Sequence, residues 1–436
     1  MKSKIRIYAL VICITAILTS CTPKIAQFNM EPKAYYVSSE SGSLENEGLS
    51  PYDALLNIEQ VNELNLNPGD TVLFERGSIF RGSLLPVSGS EKQRITYSSY
   101  GEGDLPVIMN SVSVFDIIDN FEKLDSRIYG IPSTKDIGNI IFNDNEYFGV
   151  KKFALYELEN PLDYFYDRNS GVLFIYGDEH FINLLNGQSS KYHSVEFCLT
   201  ENIVELDSKH DLVFKDIAIK NGSAHGFGAS NTHRVRIENC QISYIGGGFL
   251  HYNDDNQPVR FGNAVELFNS GSYIEVIGCE IFEIFDTAVT NQGMEKGGNQ
   301  TNITYSDNTI YNCGMAAYEL WLKGKNTTMS DISFENNTVS NIGFSFSKTQ
   351  GRDDNFGLGY FIINFGNDAK IKNLSIENNT FNNVYNVYGY GSLLLLIDIK
   401  TQLEDDTIYK SCTNNEVNGA TYEVVYTKDG ELLFQE

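Results

Sequence analysis

The chain has 436 residues, 42% of them hydrophobic, with a formal net charge of −25 and an isoelectric point near 4.6. So acidic a chain excludes nucleic acid, or any other polyanion held by simple charge attraction, as a partner. A single Trp stands beside 26 Tyr and 27 Phe, an aromatic supply that suits β-structure and surfaces that stack on sugars.

The first residues read as a targeting segment, outside the fold. Lys2, Lys4 and Arg6 precede an apolar stretch from Ile7 to Leu18, and Leu18-Thr-Ser-Cys21 follows. That run resembles a bacterial lipobox. The resemblance implies a signal peptide over 1–20, a lipidated Cys21, and a protein tied to a bacterial envelope membrane, the outer membrane by expectation, only through that lipid. Its face, periplasmic or surface, stays open. The apolar stretch is short for a transmembrane helix. Residues 21–33 read as a tether. Without Cys13 and Cys21 there remain Cys198, Cys240, Cys279, Cys313 and Cys412, an odd set lacking CxxC spacing, which argues against a disulfide framework or a zinc site.

Residues 34–110 form the next block. Pro51-Tyr-Asp-Ala-Leu-Leu-Asn-Ile58 has the pattern of a short amphipathic helix, and Pro68-Gly-Asp70 that of a turn leading into strands. Residues 111–205 read as a β-rich insert. Within it, Asn169-Ser-Gly171 joins two aromatic-rich strands between Phe153 and Tyr176. Packing is the expected role of this insert, ahead of substrate contact.

From 206 to 436 one pattern recurs. Ile237-Glu-Asn-Cys-Gln-Ile242, Val276-Ile-Gly-Cys-Glu-Ile281, Tyr305-Ser-Asp-Asn-Thr-Ile310, Phe334-Glu-Asn-Asn-Thr-Val339, Ile376-Glu-Asn-Asn-Thr-Phe381 and Cys412-Thr-Asn-Asn-Glu-Val417 align. One column holds Cys240, Cys279, Asn308, Asn337, Asn379 and Asn415, at steps of 39, 29, 29, 42 and 36 residues. Self-similarity at that period, with strand alternation and no helical pattern, points to stacked β-coils. Asn suits the column because it tolerates left-handed corners and its amide both donates and accepts, so stacked copies can bond coil to coil. A β-sandwich would not keep a corner in register over six copies. The fold expected is all-β, a solenoid with an N-terminal cap.

The cap block and the Asn-cornered coils together resemble bacterial right-handed parallel β-helix proteins of the pectate-lyase-like superfamily. The resemblance covers most of the chain after the tether. It implies a helix capping the first coil, a carbohydrate as partner, and polysaccharide degradation by a monomer.

Departures from the regular period locate the expected site. Gly246–Gly262 and Gly343–Leu358 are insertions that precede the same strand of their coils, with two regular coils between them, so they wall a groove. With Val265 and Leu267 inward, Glu266 points outward; the same parity exposes Asp286, Thr290 and Gln292, then Glu319 and Trp321. Counting back from the following corner aligns Phe361 with Glu319. Trp321, Phe361 and Tyr252 are expected to stack on sugar rings, with Thr290, Gln292, Arg260 and His251 as further substrate contacts. The predicted floor is Glu266, Thr290, Glu319 and Phe361, with Glu266 and Glu319 roughly 9–10 Å apart at the backbone and Asp286 one coil from each. Paired carboxylates are what glycosidases require: one protonates the leaving oxygen, the other attacks or activates water. Glu319 is the expected acid, shielded by Trp321 and Phe361. Glu266 is its partner, kept ionised by Arg260, with Asp286 as substitute.

Rival chemistry stays open here. The resemblance also includes lyases, which would use His251, Tyr252 or Arg260 as base or charge neutraliser and could hold calcium on Asp254 and Asp255; a hydrolase would need no cofactor. Arg352-Asp-Asp-Asn-Phe356 on the second loop is equally open. A third reading is a glycan-binding or envelope structural protein without catalysis. His225 and His233 fall in coil text and read as structural.

Overall fold

The computed structural model describes residues 31–348, 359–364, 370–384, 392–397, 409–418, 422–428 and 431–435. Residues 1–31 separate from the unit Pro32–Glu436. Cys21, most of the tether and Arg352–Phe356 therefore lie outside the description.

Strand register fixes the coil. Ile237 pairs with Val276, Val276 with Tyr305, Tyr305 with Phe334, Phe334 with Ile376 and Ile376 with Cys412, all in parallel. These partners are separated by the same 39, 29, 29, 42 and 36 residues by which the corner column advances. One coil runs through Thr287–Gly293, Gln300–Ser306 and Thr309–Cys313, and Ala316–Leu322 opens the next. The third strand of each coil joins a nine-stranded sheet, and the other two join a 17-stranded one. A crossover between parallel neighbours is right-handed because strands twist that way. The chain folds as a right-handed parallel β-helix.

The corner divides its work between two columns. Asn239, Gly278, Asp307, Asn336, Asn378 and Asn414 have φ between 51° and 64° and make the left-handed turn. The next residue carries the ladder. Asn308 donates its amide to Val276 O (2.9 Å) and Asn337 to Tyr305 O (3.0 Å); Asn379 donates to Phe334 O (2.9 Å) and Asn415 to Ile376 O (2.8 Å). Each Asn Oδ1 in turn accepts the backbone N–H of the preceding copy, as Asn337 does from Asn308 (3.0 Å). The sequence reading gave both jobs to one residue; the structure gives the turn to its predecessor. Cys240 and Cys279 occupy the ladder slot with thiols against Phe214 O and Ile237 O (both 3.7 Å), weaker bonds than an amide makes. Cys198, Cys240, Cys279 and Cys313 are buried and free.

Inside the coils, apolar rows stack. Tyr318 and Phe334 lie face to face at 5.6 Å, and Tyr305 packs on Tyr318 at 5.4 Å. Burying each such ring contributes about 2 kcal/mol or more. At the N-terminal end the α-helix is Ile58–Asn62, not 51–58. Pro51–Asp53 is a 3₁₀ turn, while Asn57 caps the helix by accepting from Gln60 N (3.0 Å). Ile58 and Val61 join the coil core and close its first edge. Asp70 ends the Pro-Gly-Asp turn by accepting from Lys33 N (2.7 Å) and Asn67 N (2.8 Å).

The insert carries a four-stranded and a five-stranded sheet with a core of its own that includes Ile140, Phe142, Tyr164 and Phe181. Its hairpin Asp163–Asp167/Val172–Tyr176 turns at Gly171, φ 67°, where a residue with a Cβ would be strained.

Candidate active site

Three consecutive coils present one outward row. Val265 pairs with Val289 and Phe268 with Gln292, so Glu266 stands over Thr290; Thr290 pairs with Glu319, and Glu319 with Ile363. The neighbouring row runs Phe268, Gln292, Trp321. A cavity of about 940 Å³ opens over both rows, with Asp286 at its edge and Phe285, Met294 and Met315 among its apolar lining.

The carboxyl groups are held by fixed donors. Glu266 is 6% exposed, and its Oε2 accepts from the Asn263 amide (2.6 Å) and the Thr290 hydroxyl (2.9 Å). That hydroxyl accepts Leu267 N–H (3.2 Å), so its own hydrogen goes to Glu266. Glu319 is also 6% exposed; its Oε2 accepts from the Gln292 amide (2.7 Å) and more distantly from Thr287 Oγ1 (3.4 Å). Burial pushes the Glu319 carboxyl up to about 8, with Asp286 and then Glu266 adding repulsion and the two donors opposing. A carboxyl group so placed keeps its proton at neutral pH.

Beneath the floor lies a buried polar brace. Tyr318 OH donates to Asn291 Oδ1 (2.6 Å), Asn291 donates to Gln300 Oε1 (2.6 Å), and Tyr305 OH donates to Thr290 O (3.0 Å). Interior groups paired in this way fix the strand that carries Thr290 and Gln292.

The first wall is an antiparallel hairpin, Gly248–Tyr252 with Pro258–Phe261. The insert holds it. Phe249 N donates to Asp136 Oδ2 (3.1 Å), Arg260 donates to Gly138 O (3.1 Å), and the Asn139 amide donates to Gly246 O. Lys151 pairs with Asp136 at 2.7 Å. Burial pulls the Lys151 ammonium down to about 8, against the pull of Asp136. The insert thus packs against the cavity wall and adds Phe153 to its lining. The second insertion is described as far as residue 348. Phe346 there packs on Phe148 and Phe285, and its N–H donates to Glu283 Oε2 (2.6 Å).

Several predicted site residues meet in the cavity: Glu266, Asp286, Glu319, Gln292, Trp321, Arg260 and His251 all line it. Others are corrected. Phe361 is fully buried, packed on Phe381 at 5.0 Å, and Ile363 is the residue in register with Glu319. The 42-residue coil is irregular, so counting back from its corner placed the row two residues early. Thr290 is also fully buried, its hydroxyl committed to Glu266 and Leu267; it positions an acid and does not face a ligand. Tyr252 is 46% exposed and leans on Phe249 (4.9 Å), apart from the cavity lining. The Arg260 guanidinium donates to Gly247 O (2.8 Å) and Gly138 O and lies 4.5 Å over the Phe285 ring. Asp254 and Asp255 sit on the exposed hairpin tip, where Asn253 Oδ1 accepts from Asp255 N (3.1 Å). Among the described residues, no group of three or more His, Cys, Asp or Glu side chains is arranged to hold a metal ion.

The sequence reading missed His225, which lines the cavity with a mostly buried ring 3.9 Å from Glu266 Oε2. Its Nδ1 accepts Asn263 N–H (3.1 Å), so the ring is neutral and carries its hydrogen on Nε2. That rules out a charged pair with Glu266, whatever the 3.9 Å separation suggests. Phe268 was missed too, although it shares the outward parity of Glu266. His233 lies away from this site, bonded to Ser272 (2.8 Å).

Comparison with known proteins adds a local likeness and a general one. An 84-residue stretch is 38% identical to a lacto-N-biosidase of Bifidobacterium longum subsp. longum; it makes up 18% of this chain and 5% of that protein. Among solved structures, a GH136 lacto-N-biosidase from Eubacterium ramulus superposes with a TM-score of 0.46 at 13% identity, over 91% of this chain and 64% of the other. A pectate lyase, Pel9A, gives 0.48 at 11% identity over 92% and 80%. No protein-family model matches the chain.

Proposed function

We propose that this protein is a glycoside hydrolase acting on an oligosaccharide or polysaccharide laid over the Glu266–Thr290–Glu319 row. The observation that carries the reading is the placement of Glu319, a buried carboxyl group that desolvation pushes up to about 8, two coils from Glu266 in one cavity. The local likeness to a lacto-N-biosidase agrees with it. With Gln292 and Thr287 both donating to Glu319 Oε2, the carboxyl proton belongs on Oε1. From there it passes to the glycosidic oxygen as the C–O bond breaks and its electron pair stays with that oxygen. Glu266, as base or nucleophile, serves the anomeric carbon or the attacking water. Asp286 assists by repelling an ionised Glu319. Trp321 and Phe268 offer rings for sugar stacking.

An elimination mechanism would need a cation against the uronate carboxylate. This floor instead offers Glu266 and Asp286, which repel a uronate, beside a Glu319 that holds a proton to donate, so hydrolysis is preferred. A panel of neutral and acidic glycans, read for new reducing ends and for the ultraviolet absorbance of unsaturated uronides, separates the readings. New reducing ends without absorbance are expected. Absorbance that a chelator abolishes would establish the lyase instead, and binding without cleavage the non-catalytic reading.

We further infer that Cys21, outside the described residues, is lipidated and anchors the enzyme to the bacterial envelope. Detergent-phase partitioning of the full chain, lost in Cys21→Ser, is the expected result; unchanged partitioning would refute it.

A further inference from the structure

The outward row does not begin at Glu266. Glu205 pairs with Gly228, and Gly228 with Glu266, so Glu205 lies in the same row two coil steps earlier, roughly 9–10 Å away. Gly228 has a clear reason to be glycine: a Cβ there would stand 2.0 Å from the Asn202 amide nitrogen. Without it, Asn202 lies flat over the row, donating to Glu205 Oε2 (2.9 Å) and accepting His225 N–H (3.2 Å). Glu205 Oε1 accepts Asp207 N–H (3.0 Å), and each carboxylate oxygen keeps a further lone pair for a ligand.

A second cavity, about 420 Å³, opens over this end of the row and shares Asn202, Glu205, His225 and Phe261 with the first. Leu85 borders it, 50% exposed, and Phe261 stands against the His225 ring at 5.2 Å. Glu201, also at its edge, is already paired with Lys135 at 2.5 Å. The recess therefore combines apolar edges, suited to the C–H face of a sugar ring, with a carboxylate and an amide that bond hydroxyls. Its volume falls within the range of small-ligand pockets.

We propose that this recess is a second sugar subsite, holding a neutral, hydroxyl-rich pyranose of the same glycan on the N-terminal-coil side of the scissile bond. The proposal rests on the hydrolase reading for its register with Glu266. A neutral unit is specified because Glu205 and Glu266 repel an acidic one, whereas hydroxyls donate to a carboxylate in strong, charge-assisted bonds. The span from Glu205 to Glu266 is comparable with that of two linked pyranose rings, so long substrates gain contacts that short ones lack.

The test uses ladders of neutral gluco-, xylo-, manno- and galacto-oligosaccharides with the full-length protein and its Glu205→Gln and Leu85→Ala variants. Leu85 is half exposed, so its truncation leaves the fold intact should Glu205→Gln disturb the Asp207 turn. The ratio of kcat/KM for long over short members is expected to fall about tenfold in Glu205→Gln, mainly through KM, and to fall in Leu85→Ala as well. Cleavage with an unchanged ratio in both variants would overturn the subsite and leave the hydrolase reading standing. Binding to the Glu319→Gln protein, measured by calorimetry, covers the other case. Length-dependent affinity that Glu205→Gln weakens, without cleavage by the unaltered protein, would support the subsite and refute the hydrolase. No binding and no cleavage of any ladder would refute both.

Discussion

Glu319→Gln is expected to lower turnover by a factor on the order of 10²–10⁴ on whichever glycan is cleaved, because the amide cannot deliver a proton to the leaving oxygen. The change is nearly isosteric, so KM should move little. Normal turnover in this variant would remove Glu319 from the mechanism. Its acidity gives the expectation a pH dependence. Burial raises the folded-state carboxyl to about 8 from an ordinary 4.5, so activity of the unaltered enzyme should fall as pH rises through about 8 and that limb should vanish in the variant. The same displacement acts on stability. Between about 4.5 and 8 the native state keeps a proton that the unfolded chain releases. The corresponding stability is fully present below the lower value and lost as pH rises through the higher one. Above pH 8 the variant should therefore gain on the unaltered protein in denaturant melts, and a gap independent of pH would contradict this.

Asn337→Ala carries the largest expected cost to stability, about 3–5 kcal/mol in chemical denaturation. The Asn337 amide donates to Tyr305 O and to Asn379 Oδ1, and its carbonyl accepts from Asn308 N and from the Asn308 amide. Truncation leaves a buried N–H and a buried C=O unpaired between two coils, where water cannot replace the lost partner. Asn337→Cys should cost less, since Cys240 and Cys279 fill the same slot with weaker sulfur contacts. A loss under about 1 kcal/mol for the alanine variant would mean that the ladder contributes little.

How much of this was legible in the sequence depends on distance along the chain. The corner column and the period-two parity are local signals, and together they place Glu266, Thr290 and Glu319 in one row, as the strand register has them. The left-handed turn was also written there, one residue earlier than the sequence reading assigned it. Phe361 failed because the same counting crossed an insertion, where the number of residues per coil no longer measures register. His225 failed for a different reason. A lone His in the short connection between two strands, Ala218–Gly222 and Phe227–Glu238, carries no period-two signal, and its place beside Glu266 comes from the bond to Asn263, 38 residues away. The anchoring of the hairpin is less legible still, since Asn139, in a strand of the insert, and Gly246, in the loop that leads into the hairpin, lie 107 residues apart. Thr290 was placed in the correct row but given the wrong task, because parity tells which side of a strand a residue occupies and not whether its hydroxyl is already bonded.

The proton on Glu319 is the point on which hydrolysis depends, and it can be observed without a substrate. Infrared difference spectra between the unaltered protein and Glu319→Gln, titrated across neutral pH, report the carbonyl stretch of a protonated carboxylic acid. A band present at neutral pH that disappears with a midpoint near 8 is the expected result. A carboxylate already ionised at pH 6, with no carbonyl band to lose, would contradict the assignment of Glu319 as the proton donor.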